Sequence, residues 1–294
     1  MATAAAIGID VGGTNIRAAR VSPDGAILAA TAQPTANEPA RVAGQIGELV
    51  KVLDDGNIAA IGIGLPGRVD AGRAQILSGG FVDLTDVPLA STLRRSFRGP
   101  VVLDNDCNMA LVAEQAVGRA RGVANVVMFT IGTGIGGAVF SEGAILRGRG
   151  TAGQLGHITV ASGGKSCLCG RHGCIETTSS GTALGRHITD AGLGSATSVE
   201  MLLSRSAVGD AAANAVLAAW AAPMRIAIDT VVAIFDPELV VLGGGLGAAM
   251  HQALGCFPAE AVWYQCPVQP AELGDRAGVI GAGLSALAAR AGER

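Results

Sequence analysis

The sequence predicts an α/β protein built as two lobes. Two observations point there. Short apolar runs alternate with stretches of helical periodicity, and a hairpin closing on a glycine turn occurs at Gly12-Gly13-Thr14 and again at Gly132-Thr133-Gly134. A length of 294 residues lies between one large domain and two ordinary ones, and 49% hydrophobic residues suffice for substantial cores.

In the first lobe, Ala6–Asp10 is an apolar run ending in an acid. Ile16–Val21 returns toward a turn at Pro23-Asp24-Gly25, which gives strand, glycine turn, strand. Apolar residues at helical spacing run from Pro39 to about Asp54, and Ile58–Gly64 is a buried strand leading into Leu65-Pro66-Gly67. A parallel crossover follows from that order. Leu89–Phe97 is a short helix, Pro100–Leu103 a strand, and Met109–Val117 a helix entered through a turn at Asp104-Asn105-Asp106. The pattern breaks between Arg119 and Ala124, which marks the lobe boundary.

The second lobe restarts with a strand at Asn125–Ile131, the glycine turn, and a returning strand at Ala138–Phe140. Asp210–Phe235 is a long apolar helix, broken or kinked near Pro223. Leu239–Leu242 is a strand running into a third glycine turn, Gly243-Gly244-Gly245, and Gly278–Arg290 is an Ala-rich helix.

Composition removes several function classes. A net charge of −3, a pI near 5.8 and no cluster of Lys or Arg leave no field for a phosphate backbone, and 3% aromatics give few stacking platforms. Nucleic acid is not an expected partner. No apolar stretch is expected to approach the roughly 20 residues of a bilayer span, and the N-terminus has no basic flank or signal-type apolar segment, so the expected location is cytoplasmic. Six cysteines are too few for a disulfide scaffold, and three of them crowd into residues 167–174.

The glycine turns suggest a polyphosphate site. A triphosphate needs many backbone N–H groups aimed into one space, and glycine lets the chain approach the anion closely. One such turn alone is more simply a tight hairpin; three together favour a ligand. Asp10, just ahead of the first turn, would repel phosphates unless a cation intervened, so Mg²⁺ held through water is expected. The lysine-bearing phosphate loop is missing, since no Gly-Lys-Ser or Gly-Lys-Thr follows a strand.

Asp104-Asn105-Asp106-Cys107-Asn108 lies between a strand and a helix, at the carboxyl edge of a sheet where ligands bind. Asp106 there can accept the proton of an acceptor hydroxyl while Asn105 holds a neighbouring one. Asp and Asn at a helix start equally fit capping. His157, Cys167, Cys169 and Cys174 offer one imidazole and three thiolates, the composition of a closed tetrahedral zinc site, with free thiols or a redox pair as the alternative. Such a zinc would be structural, because the chemistry needs no metal-activated water.

Taken in order, Ile9-Asp10-Val11-Gly12-Gly13-Thr14-Asn15, Gly64-Leu65-Pro66-Gly67, Asn105-Asp106-Cys107-Asn108, the glycine run 132–137, Gly156-His157 and the cysteine-rich stretch from Cys167 to Glu176 resemble the ROK family of repressors, uncharacterised reading frames and sugar kinases. The resemblance spans nearly the whole chain. It implies an actin-like ATPase (ribonuclease H-like) fold of two α/β lobes with ATP and sugar in the cleft. Its expected bounds are 1–118 and 119–275, with a helix at 276–294 returning to the first lobe. It also implies Asp106 as catalytic base, sugar contacts from Gly67, Asn105, Gln154, His157 and Glu176, Gly243-Gly244-Gly245 near the adenosine, and a homodimer.

Two positions depart from the family's sugar kinases. Gln154 stands where they usually carry Glu, and an amide donates as well as accepts. Within residues 78–84, Gly80 stands at the position of a sugar-binding Asn, so a buried sugar hydroxyl would lose a partner at about 1–3 kcal/mol. The expected activity is ATP-dependent phosphorylation of a hexose, amino sugar or related polyol. N-acetylmannosamine kinase and a non-catalytic sugar-sensing regulator are the alternatives. Only six residues precede Ile7, too few for the helix-turn-helix of the family's repressors.

Overall fold

Apolar runs flanked by glycine turns assemble into two five-stranded sheets in the computed structural model, which describes residues 4–80, 82–259, 263 and 265–292. The chain forms two compact units. Met1–Gly122, Arg147–Ala152 and Asp275–Arg294 make the first, and Val123–Leu146 with Gly153–Gly274 the second.

The first unit contains β1 (Ala5–Val11), β2 (Asn15–Val21), β3 (Ile27–Pro34), α1 (Pro39–Leu53), β4 (Ile58–Leu65), β5 (Arg68–Asp70), β6 (Gln75–Ser78), α2 (Leu89–Arg94), β7 (Val101–Asn105) and α3 (Asp106–Val117). The sheet order is β3-β2-β1-β4-β7; β3, β2 and β1 are antiparallel, and β1, β4 and β7 parallel. The parallel centre is covered on both faces, so β1 and β4 read as nearly unbroken apolar runs, whereas β3 at the edge is never fully buried. Pro39 opens α1 at a position where its missing N–H costs nothing. Val42, Ile46, Leu49 and Leu53 then bury one stripe of that helix.

The C-terminal helix, Ala277–Gly292, packs against β1, β4 and α3. The approach is close enough to require glycine on both sides. A Cβ on Gly8 or Gly62 would stand 1.9 Å from the carbonyl oxygens of Val279 or Ala282, and one on Gly281 would stand 1.7 Å from that of Met109.

The second unit repeats the plan with β8 (Val126–Ile131), β9 (Ile135–Ser141), β10 (Ala144–Ile145), α4 (Glu176–Ser179), α5 (Gly181–Asp190), α6 (Val199–Ala207), α7 (Ala211–Phe235), β11 (Leu239–Gly243), α8 (Gly247–Leu254) and β12 (Val268–Pro270). Its order, β10-β9-β8-β11-β12, has the same antiparallel trio and parallel pair as the first sheet. Phe129, Trp220, Met224 and Ile228 lie in its core.

Three expectations are corrected. The turn expected at 104–106 does not exist: β7 runs through Asn105 and α3 starts at Asp106, because Asn105 caps the helix while still pairing with Leu65 of β4. α7 is not broken at Pro223 but continues through it, held by its buried side and by Asp210, whose carboxylate accepts from the N–H groups of Ala212 and Ala213. α7 is also long and apolar enough to cross a membrane by length and composition, which the sequence reading denied for any stretch. Its buried residues, Trp220, Met224, Ile228 and Val231 among them, belong to the core of the unit.

Candidate active site

Register places the acidic residues of the first unit side by side. Asp10 of β1 pairs with Gly64 of β4, and Gly64 pairs with Asp104 of β7, so three carboxyl ends of parallel strands align. That edge is where open α/β sheets bind ligands. Asn105 Oδ1 accepts from the N–H groups of Cys107 (3.0 Å) and Asn108 (3.3 Å), and its amide donates to the Gly67 carbonyl at 2.9 Å. The cap of α3 is therefore Asn105, which also ties down the loop at Gly67. Asp106 is left outside the capping role, its Oδ1 accepting from the N–H of Cys107 (2.9 Å) and from its thiol (3.4 Å).

Burial pushes the Asp106 carboxyl above its ordinary range, against the hydrogen bonds from Cys107 and Asn105. Asp10 is pushed up to about 7, first by burial and then by the charge of Asp106, with Arg17 opposing. Arg17 Nη2 donates to Asp275 at 2.9 Å, and Nη1 lies 3.9 Å from Asp10. The two acids of this edge thus repel, which is the local condition that favours a divalent cation.

Asp104 was missed as a site residue. It is 2% exposed; Oδ2 receives Arg147 Nε (2.8 Å) and Nη2 (2.7 Å), and Oδ1 receives the Asn105 N–H and the Asn108 amide. Its carboxylate fixes the strand end, the first turn of α3 and the segment Arg147–Ala152 of the same unit. Asp104 was visible in the acidic triplet, but nothing local to Arg147 signals its partner 43 residues away.

Gly67 has φ +88°, and a Cβ there would stand 2.4 Å from the Ser78 carbonyl oxygen. Gly80 sits against Pro66, where a Cβ would lie 2.8 Å from the proline Cβ. A side chain at position 80 would therefore force this loop to shift. Asp83 accepts from the N–H and hydroxyl of Thr85, which hold its carboxyl below the ordinary carboxylate range. Phe81 lies outside the described residues.

In the second unit two glycine turns leave adjacent strands. Gly243 of β11 pairs with Thr130 of β8, so Gly132-Thr133-Gly134 and Gly243-Gly244-Gly245 share one sheet edge. Gly181 N–H binds the Gly132 carbonyl at 2.8 Å, and Leu246 N–H binds that of Ile131 at 3.0 Å. Gly244 has φ +76°, and a Cβ there would stand 2.5 Å from the Ile131 oxygen. Glu176, at the start of α4, accepts the Ile135 N–H at 3.1 Å, and a Cβ on Gly134 would meet its carboxylate at 2.6 Å. Glu176 therefore braces the second glycine turn. Gln154 is half-buried just ahead of the 3-10 turn Leu155–His157.

One ligand atom each from His157, Cys167, Cys169 and Cys174 lie within 4.8 Å of one another. Cys169 and Cys174 sulfurs are 3.6 Å apart, as are Cys167 Sγ and His157 Nδ1. Thiolates on one tetrahedral zinc, with bonds of about 2.3 Å, would be about 3.8 Å apart. The donor set therefore fits zinc. Hydrogen bonding from the Arg171 backbone draws the Cys169 thiol down to about 7, while burial pushes Cys174 up to about 12, an obstacle to ionisation that a bound cation removes. A surface hollow of about 390 Å³ beside Arg225 and His251 involves none of these groups.

Paired hairpins on glycine turns, each continuing into a parallel sheet, define the actin-like ATPase fold. The ROK family model matches residues 6–290, and the chain belongs to the ROK family. It is 32% identical over 301 residues to a glucokinase of Thermotoga maritima, covering 94% of this chain and 95% of that protein. To an N-acetylmannosamine kinase of Yersinia pseudotuberculosis it is 32% identical over 295 residues, covering 96% and 98%. A ROK family glucokinase from Streptomyces griseus, solved with glucose and AMPPNP, superposes with a TM-score of 0.83 at 29% identity, covering 97% and 99%. The protein is a sugar kinase.

Proposed function

We propose that this chain transfers the terminal phosphoryl group of ATP to a hydroxyl of a hexose, amino sugar or related polyol, with Asp106 as general base. The observation that carries this reading is the division of labour at the start of α3: Asn105 caps the helix, and Asp106 is a half-buried carboxylate with a raised proton affinity. The acceptor oxygen bonds to phosphorus as the bond to ADP breaks, and the hydroxyl proton passes to Asp106. Gly12, Gly13, Thr14, Gly132, Thr133 and Gly134 would offer backbone N–H groups to the phosphates, and Gly243, Gly244 and Gly245 would lie by the adenosine. Asp10 would hold Mg²⁺ through water.

Gln154, His157 and Glu176 would recognise the sugar with Gly67 and Asn105. Asn105 takes part mainly by holding the loop, since its carbonyl oxygen already has two donors. Zinc on His157, Cys167, Cys169 and Cys174 would order the segment leading to Glu176. Dependence on ATP and a set of free cysteines fit the cytoplasm. Gln154 favours a second, narrower reading, N-acetylmannosamine kinase, because an amide can donate to a carbonyl substituent where a carboxylate cannot. A coupled assay across hexoses, acetamido sugars and inositols tests both. ADP release with at least one of them supports the kinase reading, and none at high enzyme concentration would defeat it; preference for glucose over every acetamido sugar rejects the narrower one.

A further inference from the structure

We propose that Arg17 is a polyphosphate-contacting residue, the cation that the first glycine turn otherwise lacks. The inference rests on reading Gly12–Thr14 as a phosphate turn and goes beyond it by naming a side chain. Arg17 stands opposite Asp10 across the β1–β2 pair. Its Nη1 lies 3.8 Å from where a Cβ on Gly12 would be, so the guanidinium sits against the turn. The N–H groups of Gly13 and Thr14 have no hydrogen-bond partner among the described residues, and those of Arg17 Nε and Nη1 have none either. Of the three nitrogens only Nη2 is hydrogen-bonded among the described residues, to Asp275, while Nη1 makes a 3.9 Å ion pair with Asp10. The side chain is 34% exposed, open to an incoming anion yet oriented from behind.

Planar donors in a fixed fork match two oxygens of a phosphate, and an Arg held at one end loses little freedom on binding. The repeated hairpin sharpens the assignment. β9 carries Gly136 at the place of Arg17, opposite Thr130, so the cation belongs to one turn only. Phosphates bound there would also meet Asp10, and the guanidinium supplies part of the positive charge that offsets its repulsion.

The experiment measures binding of AMP, ADP and AMPPNP, and of sugar, to the wild type, Arg17→Met, Arg17→Lys and Gly12→Ala, each checked for a native thermal transition. Arg17→Met is expected to weaken AMPPNP roughly tenfold or more, with AMP and sugar little changed and Lys restoring part of the loss. An equal loss for AMP, AMPPNP and sugar would mean that Arg17 only ties the strand to Asp275, and would overturn the proposal. If Gly12→Ala weakens AMPPNP while Arg17→Met does not, the turn binds phosphate without Arg17 and the proposal alone fails. If neither variant affects AMPPNP, the phosphate reading of the turn fails and takes the proposal with it.

Discussion

The two hairpins use one backbone plan for different chemistry. In the first, Asp10 faces Arg17 across the strands; in the second, the matching pair is Thr130 and Gly136. The first turn keeps open N–H groups beside charged side chains. The second is braced from outside, by Gly181 on the Gly132 carbonyl, by Thr182 on Thr133 and by Glu176 on Ile135. A duplicated scaffold has thus been divided: buried carboxylates concentrate in the first unit, while the cluster of His157, Cys167, Cys169 and Cys174 stands in the second.

The strongest test of that division is Asp106→Asn. An amide cannot take the proton, so kcat should fall by roughly 10²–10⁴-fold with nucleotide binding preserved. Because burial raises the carboxyl, the acid limb of wild-type kcat/KM should lie above the ordinary carboxylate range. Rate profiles from pH 4 to 8 check this; an acid limb near pH 4 or below would place Asp106 in water.

The second unit should break at its metal set. Cys174 is fully buried, and replacing it by Ser should remove zinc and lower the thermal transition, whereas a chelator should reproduce the loss in the wild type. Metal analysis is expected to give about one zinc per chain. Since Glu176 follows this loop and braces Ile135, zinc removal should also weaken nucleotide binding. Calorimetry with AMPPNP reads that coupling, and unchanged affinity in zinc-free, folded protein would separate loop from turn.

A smaller loss is expected from Asp104→Asn. It would leave Arg147 without its carboxylate and keep the cap at Asn105, costing about 1–3 kcal/mol in chemical denaturation. Arg147→Met should cost more, because it leaves the buried Asp104 carboxylate without its counter-charge, whereas in Asp104→Asn the 42% exposed Arg147 can return to water.

What the sequence disclosed follows the range of the forces involved. Strands, hairpins and the cysteine cluster are written in residues a few positions apart, so Gly12, Gly132 and Cys167–Cys174 were readable. The sheet order repeats because each unit solves the same local problem. Asp104 with Arg147 was not readable, since the pair joins distant segments and neither residue type is unusual where it stands. Asn105 and Asp106 could not be ranked as cap and base from propensity, because both residues cap well; only the observed bonds assign the cap to Asn105. The tight seat of Gly80 on Pro66 is likewise a tertiary fact.

Asp10 gives the smallest effect and the one most particular to the first turn. Its folded-state carboxyl titrates at about 7 against an ordinary 3.8, so the folded protein holds a proton that the unfolded chain has released. This contribution to stability is complete below about pH 4, declines as pH rises, and is gone above about pH 7. Asp10→Asn cannot ionise. Without nucleotide or Mg²⁺ it should therefore match the wild type near pH 4 and be the more stable of the two at pH 8, while binding MgATP less well. Thermal unfolding of both proteins across that range measures the difference. Parallel curves would mean that Asp10 is solvated, and the contrast with Thr130 in the second hairpin would then carry no electrostatic consequence.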